Sequence, residues 1–165
     1  MADKTLAERL QPSLLDRLTD NEPGNPRETR DSRVIDISRL RDIIQRDLSW
    51  LLNTTNTESS FDAAALPNVA RSVVNYGLRE VSGEFSTAER AEQIRRSIQR
   101  AIAVYEPRII DGTVEVTLNP DDTGKDMTVA LIIRADMWAQ PLPLELYLRS
   151  QVDVTTGEIS VDGGR

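Results

Sequence analysis

The chain has 165 residues, with 20 Lys and Arg against 27 Asp and Glu, and it contains neither histidine nor cysteine. These absences exclude a Ser–His–Asp triad, a cysteine nucleophile, a disulfide and any metal site built from imidazole or thiolate ligands. The formal net charge of −7 argues against a general nucleic-acid binder, because binding phosphates requires a basic surface. Composition therefore argues against an enzyme, and we expect no catalytic residue, no metal site and no cofactor.

The length fits one domain with a short extension. The first ten residues, MADKTLAERL, lack the apolar stretch of a signal peptide. The longest aliphatic run, residues 129–133, is too short to cross a bilayer. We therefore expect a cytoplasmic protein with no direct insertion into a membrane.

Residues 1–33 are predicted to be an N-terminal extension, and residues 34–165 to form a single domain. The extension is charged and interrupted by prolines, and its leucines recur every four residues: Leu6, Leu10, Leu14 and Leu18, with Leu15 beside them. This spacing places leucines on one face of a helix, although Pro12 should interrupt it. Two interpretations stay open. Either the extension packs on its own domain, or it lays Leu14, Leu15 and Leu18 into a groove of a partner.

Three amphipathic helices are predicted in the domain. The first covers residues 34–53, where apolar residues are spaced by three or four: Ile37, Leu40, Ile44, Leu48 and Leu51. The second begins at Pro67 and ends at Gly77. The third begins at a capping box, residues 86–89, and ends near Tyr105, before Pro107. Its exposed side carries an ion pair between Glu92 and Arg96, and its buried side is predicted to consist of Ala91, Ile94, Ile98, Ala101 and Tyr105.

The pattern changes after Gly112, where apolar and polar residues alternate and predict strands. Both faces of the stretch 127–133 are apolar, which predicts a central strand. Strands are also predicted over residues 114–118, 144–154 and 158–161. Residues 119–124 resemble the start of a calcium loop, but the twelfth position is alanine, so an ordinary hairpin turn is expected. Helices followed by strands indicate an α+β fold, with three helices on a small antiparallel sheet of three or four strands.

Glu106, Pro107 and Arg108 form the most informative local feature, because a proline fixes the backbone between opposite charges where a helix meets the sheet. The planar guanidinium of Arg108 suits a carboxylate or a main-chain carbonyl. The charges form either an ion pair within the protein or a contact with a partner, and the sequence leaves both open. A glycosidase would need two paired carboxylates. Among the candidates Glu80, Glu84 and Glu106, no spacing defines such a pair.

Three segments resemble signature segments of the TssE family, the baseplate subunits of type VI secretion systems. They are residues 46–54 (RDLSWLLNT), 72–78 (SVVNYGL) and 105–109 (YEPRI). TssE is similar to the phage baseplate wedge proteins once labelled lysozyme-like. The resemblance spans about residues 34–161 in the family's order, and the leader 12–18 resembles the TssE extension.

The resemblance implies a structural subunit that performs no covalent chemistry. Such a subunit links the TssF–TssG wedge, with TssK in the same baseplate, to the contractile TssB–TssC sheath and starts sheath polymerisation at the inner face of the bacterial inner membrane. The family's Glu-Pro-Arg motif corresponds to Glu106, Pro107 and Arg108, which implies baseplate contact for these residues. The alternatives are a wedge protein of a contractile phage tail, a peptidoglycan hydrolase and a generic adaptor.

The edges of an antiparallel sheet carry unpaired N–H and C=O groups, to which a strand of another protein can be added. We expect the C-terminal strands, over residues 144–154 and 158–161, to offer such an edge to the first ring of sheath subunits.

Overall fold

The computed structural model describes residues 13–20, 23–24, 35–79, 87–119, 128–138 and 143–163. Within these ranges there are four α-helices and four β-strands, which confirms the α+β fold. The helices are α1 (Leu14–Leu18), α2 (Ile37–Leu52), α3 (Pro67–Ala70) and α4 (Thr87–Tyr105). The strands are β1 (Glu115–Leu118), β2 (Thr128–Met137), β3 (Leu144–Asp153) and β4 (Ile159–Gly163). Ser86 of the predicted capping box and residues 120–124 of the predicted turn lie outside the described residues, as do Leu6, Leu10, Glu80 and Glu84.

The two long helices agree with the predicted patterns. Helix α2 begins where the carboxylate of Asp36 accepts a hydrogen bond from the N–H of Arg39 at 2.7 Å. Its buried residues are Leu40, Ile43, Ile44, Leu48, Leu51 and Leu52. Helix α4 ends at Tyr105 and carries the predicted ion pair, with Arg96 Nε 2.8 Å from Glu92 Oε1. Both helices therefore bury the apolar side that their spacing indicates.

The second predicted helix is much shorter than expected. Only one turn, α3, is helical, and a 3₁₀ turn at Val73–Asn75 follows it. The carbonyl oxygen of Ala70 accepts a hydrogen bond from the side chain of Asn75 at 3.1 Å, and the hydroxyl of Ser72 donates to the carbonyl of Val69 at 2.9 Å. These side chains take acceptors that a longer helix would bond with its own backbone, and the helix therefore stops.

The sheet has the strand order β1-β2-β3-β4, and every neighbouring pair is antiparallel. Strand β2 lies in the interior, as its two apolar faces predict. Strand β3 is interior too, because it pairs with β2 along its whole length and with β4 from Leu148 to Val152. The expectation that residues 144–154 offer an edge was therefore wrong. The edges are β1 and β4, because the alternation of a strand predicts its faces and not its neighbours.

The helices cover one face of the sheet. Helix α2 packs against β4, helix α4 packs against β1, and the two helices contact each other. The largest fully buried side chains lie between these layers: Ile44, Leu48, Ile98, Ile102, Leu131, Ile133, Met137 and Leu146. No described helix is both long enough and apolar enough to cross a membrane.

Candidate functional site

The three signature-like segments meet in space at the C-terminal end of α4. Asp47 comes from the middle of α2, and Glu106, Pro107 and Arg108 follow the last residue of α4. We call these four residues the charged corner. Tyr76, from the third segment, lines the same groove beside them.

Arg108 connects the two carboxylates of the charged corner. Its Nε donates to Glu106 Oε1 at 2.6 Å, and its Nη2 contacts both Glu106 Oε2 and Asp47 Oδ2, the latter at 2.7 Å. The backbone N–H of Arg108 donates to Glu106 Oε1 at 3.1 Å, while Pro107 between the two charges is exposed. Of the two interpretations of this motif, the structure shows the ion pair within the protein.

Burial alone would lower the pKa of Arg108, but the hydrogen bonds to Glu106 and Asp47 outweigh it and raise that pKa. The guanidinium therefore keeps its charge. Because Glu106 is buried and both of its oxygens are bonded to Arg108, this carboxylate is arranged for binding and not for general acid catalysis.

A chain of alternating charges runs from the corner to the N-terminal helix. Arg46 Nη2 lies 2.7 Å from Asp47 Oδ1, and Arg46 Nη1 lies 2.6 Å from Oδ1 of Asp16 in α1. The hydrogen bond from Arg46 is the main reason that the pKa of Asp16 is lowered from its ordinary value. Ser13, the N-cap of α1, also contacts Asp16. Helix α1 is thus joined to α2 by a two-bond ion pair.

The predicted docking leucines divide into two groups. Leu15 lines the groove beside the charged corner, together with Trp50. Leu14 and Leu18 point away from the domain, with 71% and 75% of their surfaces exposed. Trp50 is half exposed, and the guanidinium of Arg46 lies 4.8 Å from its ring centroid. The segment therefore packs on its own domain through Asp16 and Leu15, while a partner role for the three leucines stays a prediction.

Asn75 and Tyr76 shape the floor of this site. Asn75 is buried, and its side-chain oxygen accepts from the N–H of Thr57 at 3.2 Å. The ring of Tyr76 packs edge-on against Tyr105, with 5.5 Å between centroids. Burial raises the pKa of both tyrosines. The hydroxyl of Tyr105 donates to the backbone oxygen of Asn75 at 2.6 Å, so the segment is bonded to the end of α4.

Gly77 is required by a close approach of two backbone segments. It has a φ of +119°, and a Cβ at this position would lie 2.2 Å from the carbonyl oxygen of Thr54. The N–H of Leu78 donates to that same oxygen at 2.7 Å. The sequence predicted Gly77 only as the end of a helix, because nothing in the local pattern shows that Thr54 lies next to it.

The outward side of β4 is covered by side chains of α2. The side-chain amide of Asn53 donates to the carbonyl of Ile159 at 2.8 Å and accepts from the N–H of Ile159 at 2.9 Å. The side-chain amide of Gln45 donates to the carbonyl of Val161 at 2.8 Å. The N–H of Asp153 donates to the carbonyl of Glu158, so by alternation the backbone groups of Ile159 and Val161 point away from β3.

The outward side of β1 is covered from the other long helix. Gln99 Nε2 donates to the carbonyl of Val114 at 2.9 Å, and Arg95 Nη1 donates to the carbonyl of Val116 at 3.3 Å. Sequence analysis missed all four covering side chains, because they lie on the polar sides of their helices and resemble solvated residues.

The described residues contain no group of three or more His, Cys, Asp or Glu side chains that could hold a metal ion.

A family model described as baseplate wedge protein gp25 matches residues 38–142. The match covers 105 of the 165 residues and includes all three signature-like segments. Comparison with curated proteins and comparison with solved structures each give no match.

Proposed function

Because the chain belongs to the baseplate wedge protein gp25 family, we propose that it is the TssE-type subunit of a type VI secretion baseplate. In this proposal it joins the TssF–TssG wedge, next to TssK, to the TssB–TssC sheath and starts sheath polymerisation. The assembly stands on the cytoplasmic side of the inner membrane. The segments that support TssE over other family members are residues 46–54, 72–78 and 105–109, with the leader before them.

The observation that carries the proposal is the meeting of these segments at the charged corner. The corner is rigid, because Arg108 is held by Glu106 and Asp47, and Tyr105 bonds the neighbouring loop. The groove beside it combines exposed aromatic and proline surface with fixed charges. Rigid aromatic surface next to desolvated charge is typical of the residues that dominate protein–protein binding. The corner is therefore our choice for the TssF–TssG contact.

We propose no enzymatic activity. A peptidoglycan hydrolase would need one carboxyl group free to donate a proton and a second one placed at a fixed distance from it. Glu106 is engaged with Arg108, and Glu80 and Glu84 lie outside the described residues. A zymogram with purified full-length protein tests this, since clearing of peptidoglycan that Glu106→Gln abolishes would overturn the proposal.

The second candidate is a wedge protein of a contractile phage tail, which the description of the matching family model favours. The same corner and the same sheet would serve in that machine. Co-expression separates the two candidates, because only a type VI subunit should copurify with TssF and TssG.

The experiment for the corner uses the full chain as bait for TssF–TssG and, separately, for TssB–TssC. Pro107→Glu places a charge on the exposed tip of the corner without removing any of its described hydrogen bonds. We expect it to reduce TssF–TssG capture at least tenfold and to leave the fold intact by circular dichroism. Arg96→Glu, on the exposed side of α4, is the matched control and should capture normally. Equal capture by all three proteins would remove the corner from the interface.

Removal of residues 1–33 tests the extension. If Leu14, Leu15 and Leu18 bind a partner, the shortened chain should lose part of its TssF–TssG capture, and Leu14→Ser with Leu18→Ser in the full chain should lose the same part. Full capture by both variants would restrict the extension to contacts within the protein.

A further inference from the structure

The two edges of the sheet differ in how firmly their outward groups are covered. On β1, Arg95 is itself held by two bonds to Glu92 and one to Gln99, so uncovering Val116 breaks an ion pair. On β4, the cover consists of the neutral amides of Gln45 and Asn53. A neutral side chain can rotate into solvent without breaking an ion pair. The β4 edge is therefore the one that opens more easily.

Asn53 also imitates a strand. Its amide both donates to the carbonyl and accepts from the N–H of one residue, Ile159, at 2.8 and 2.9 Å. A residue of an antiparallel strand makes the same reciprocal pair with the residue opposite to it. Two residues further along β4, Gln45 occupies the next outward carbonyl, that of Val161. The two amides thus hold positions that the peptide groups of an added antiparallel strand would take.

We propose that the outward edge of β4 accepts an antiparallel strand from the first sheath subunit, and that Gln45 and Asn53 keep this edge closed until the strand displaces them. We call these two side chains the amide latch. The inference rests on the proposed role in sheath initiation and adds which edge is used and what closes it. A closed edge prevents strand addition between free copies of the chain, which is the hazard that an open edge presents.

The chemistry of β4 restricts the incoming strand. Ile159 and Val161 are buried against the helices, whereas Ser160 and Asp162 are exposed on the other face. Because side chains alternate between the two faces, the strand must be apolar on the side of α2 and polar on the other side. The carboxylate of Asp162 favours a basic residue in its neighbourhood on the polar side.

The latch is tested with isosteric substitutions in the full chain. Gln45→Glu with Asn53→Asp preserves shape, but carboxylates cannot donate to the carbonyls of Val161 and Ile159 at neutral pH. The probe is a fluorescent peptide that copies residues 144–153, whose backbone already pairs antiparallel with β4 on its other side. We expect the double variant to bind the peptide at least tenfold more tightly than the unaltered chain, as measured by fluorescence anisotropy.

Two controls accompany this measurement. Gln99→Glu removes the equivalent donor on β1 and should not tighten binding, and a peptide with proline at alternate positions should not bind. Hydrogen exchange should show faster exchange of the Ile159 amide in the double variant without peptide, and protection when peptide is present. The proposal is overturned if the double variant binds no more tightly than the unaltered chain, or if Gln99→Glu tightens binding equally.

The outcomes also separate the latch from the proposed function. A double variant that captures the peptide, in a protein that does not start TssB–TssC polymerisation, supports the acceptor edge and contradicts the role in the sheath. Normal polymerisation together with no tighter peptide binding contradicts the latch and leaves that role intact.

Discussion

Arg108 Nη2 lies 2.7 Å from Asp47 Oδ2, and this contact joins the end of α4 to the middle of α2 across 61 positions of sequence. The same nitrogen contacts the buried carboxylate of Glu106. Because one guanidinium neutralises two carboxylates, its removal affects more than one pair. The charged corner is therefore held together by Arg108, and the family's Glu-Pro-Arg motif has a structural role here whatever it binds.

The first prediction concerns the stability of the corner. Arg108→Ala leaves Glu106 buried without its charge partner, and we expect it to lower the free energy of unfolding by about 3 kcal/mol. Asp47→Ala leaves the pair of Arg108 with Glu106 intact and should lower it by about 1 kcal/mol. Urea denaturation measures both values. Arg96→Ala, which removes an exposed pair, serves as the control, and equal losses for all three variants would contradict this account.

The second prediction concerns acid. The pKa of Asp16 is lower in the folded protein than its ordinary value of 3.8, because Arg46 favours the carboxylate. A lowered folded pKa means that the contact stabilises the protein above the ordinary pKa and is lost as pH falls through the folded value. We expect α1 to detach from α2 below about pH 4.

Trp50 reports this detachment, because Arg46 lies over its ring and binds Asp16 at the same time. In a Trp138→Phe background, Trp50 is the remaining tryptophan, and its fluorescence should change as pH falls below about 4. Adding Asp16→Asn should give the low-pH spectrum already at pH 7. Identical titrations of both proteins would show that other acids cause the change.

Several elements of the fold follow from the sequence because their signals are local. The spacing of apolar residues predicts α2 and α4, and alternation predicts the strands. The segment after Pro67 was mispredicted because side chains such as Asn75 compete for backbone acceptors, which apolar spacing does not reveal. The partner of Arg108 and the cover of β4 depend on contacts between distant parts of the chain. Local patterns contain no information about which distant residues meet.

The third prediction separates two effects of a side chain at a glycine. Gly77→Ala introduces both a positive φ and a clash with the carbonyl of Thr54, and we expect a loss of at least about 3 kcal/mol in unfolding free energy. Gly112 has a φ of +78° but open space around it, so Gly112→Ala should lose about 1–2 kcal/mol. Thermal denaturation of the two variants measures the difference. Similar losses would mean that the backbone relaxes away from Thr54.

The fourth prediction concerns the bond between α4 and the loop that carries Tyr76. The hydroxyl of Tyr105 lies 2.6 Å from the backbone oxygen of Asn75 and 3.3 Å from two further carbonyl oxygens of the same loop. Tyr105→Phe leaves these acceptors without that donor, and we expect it to lower the free energy of unfolding by about 1–2 kcal/mol.

Tyr147→Phe is the matched control for this substitution. Tyr147 lies on the sheet face away from the helices, where its ring stacks with Arg134 at 5.4 Å, and phenylalanine keeps that ring. Its loss should stay within about 0.5 kcal/mol. If Tyr105→Phe also weakens TssF–TssG capture more than its loss of stability explains, the loop must be positioned by this hydroxyl for binding. Unchanged stability with weakened capture would instead assign Tyr105 a direct contact with the partner, because the hydroxyl would then matter only in the complex.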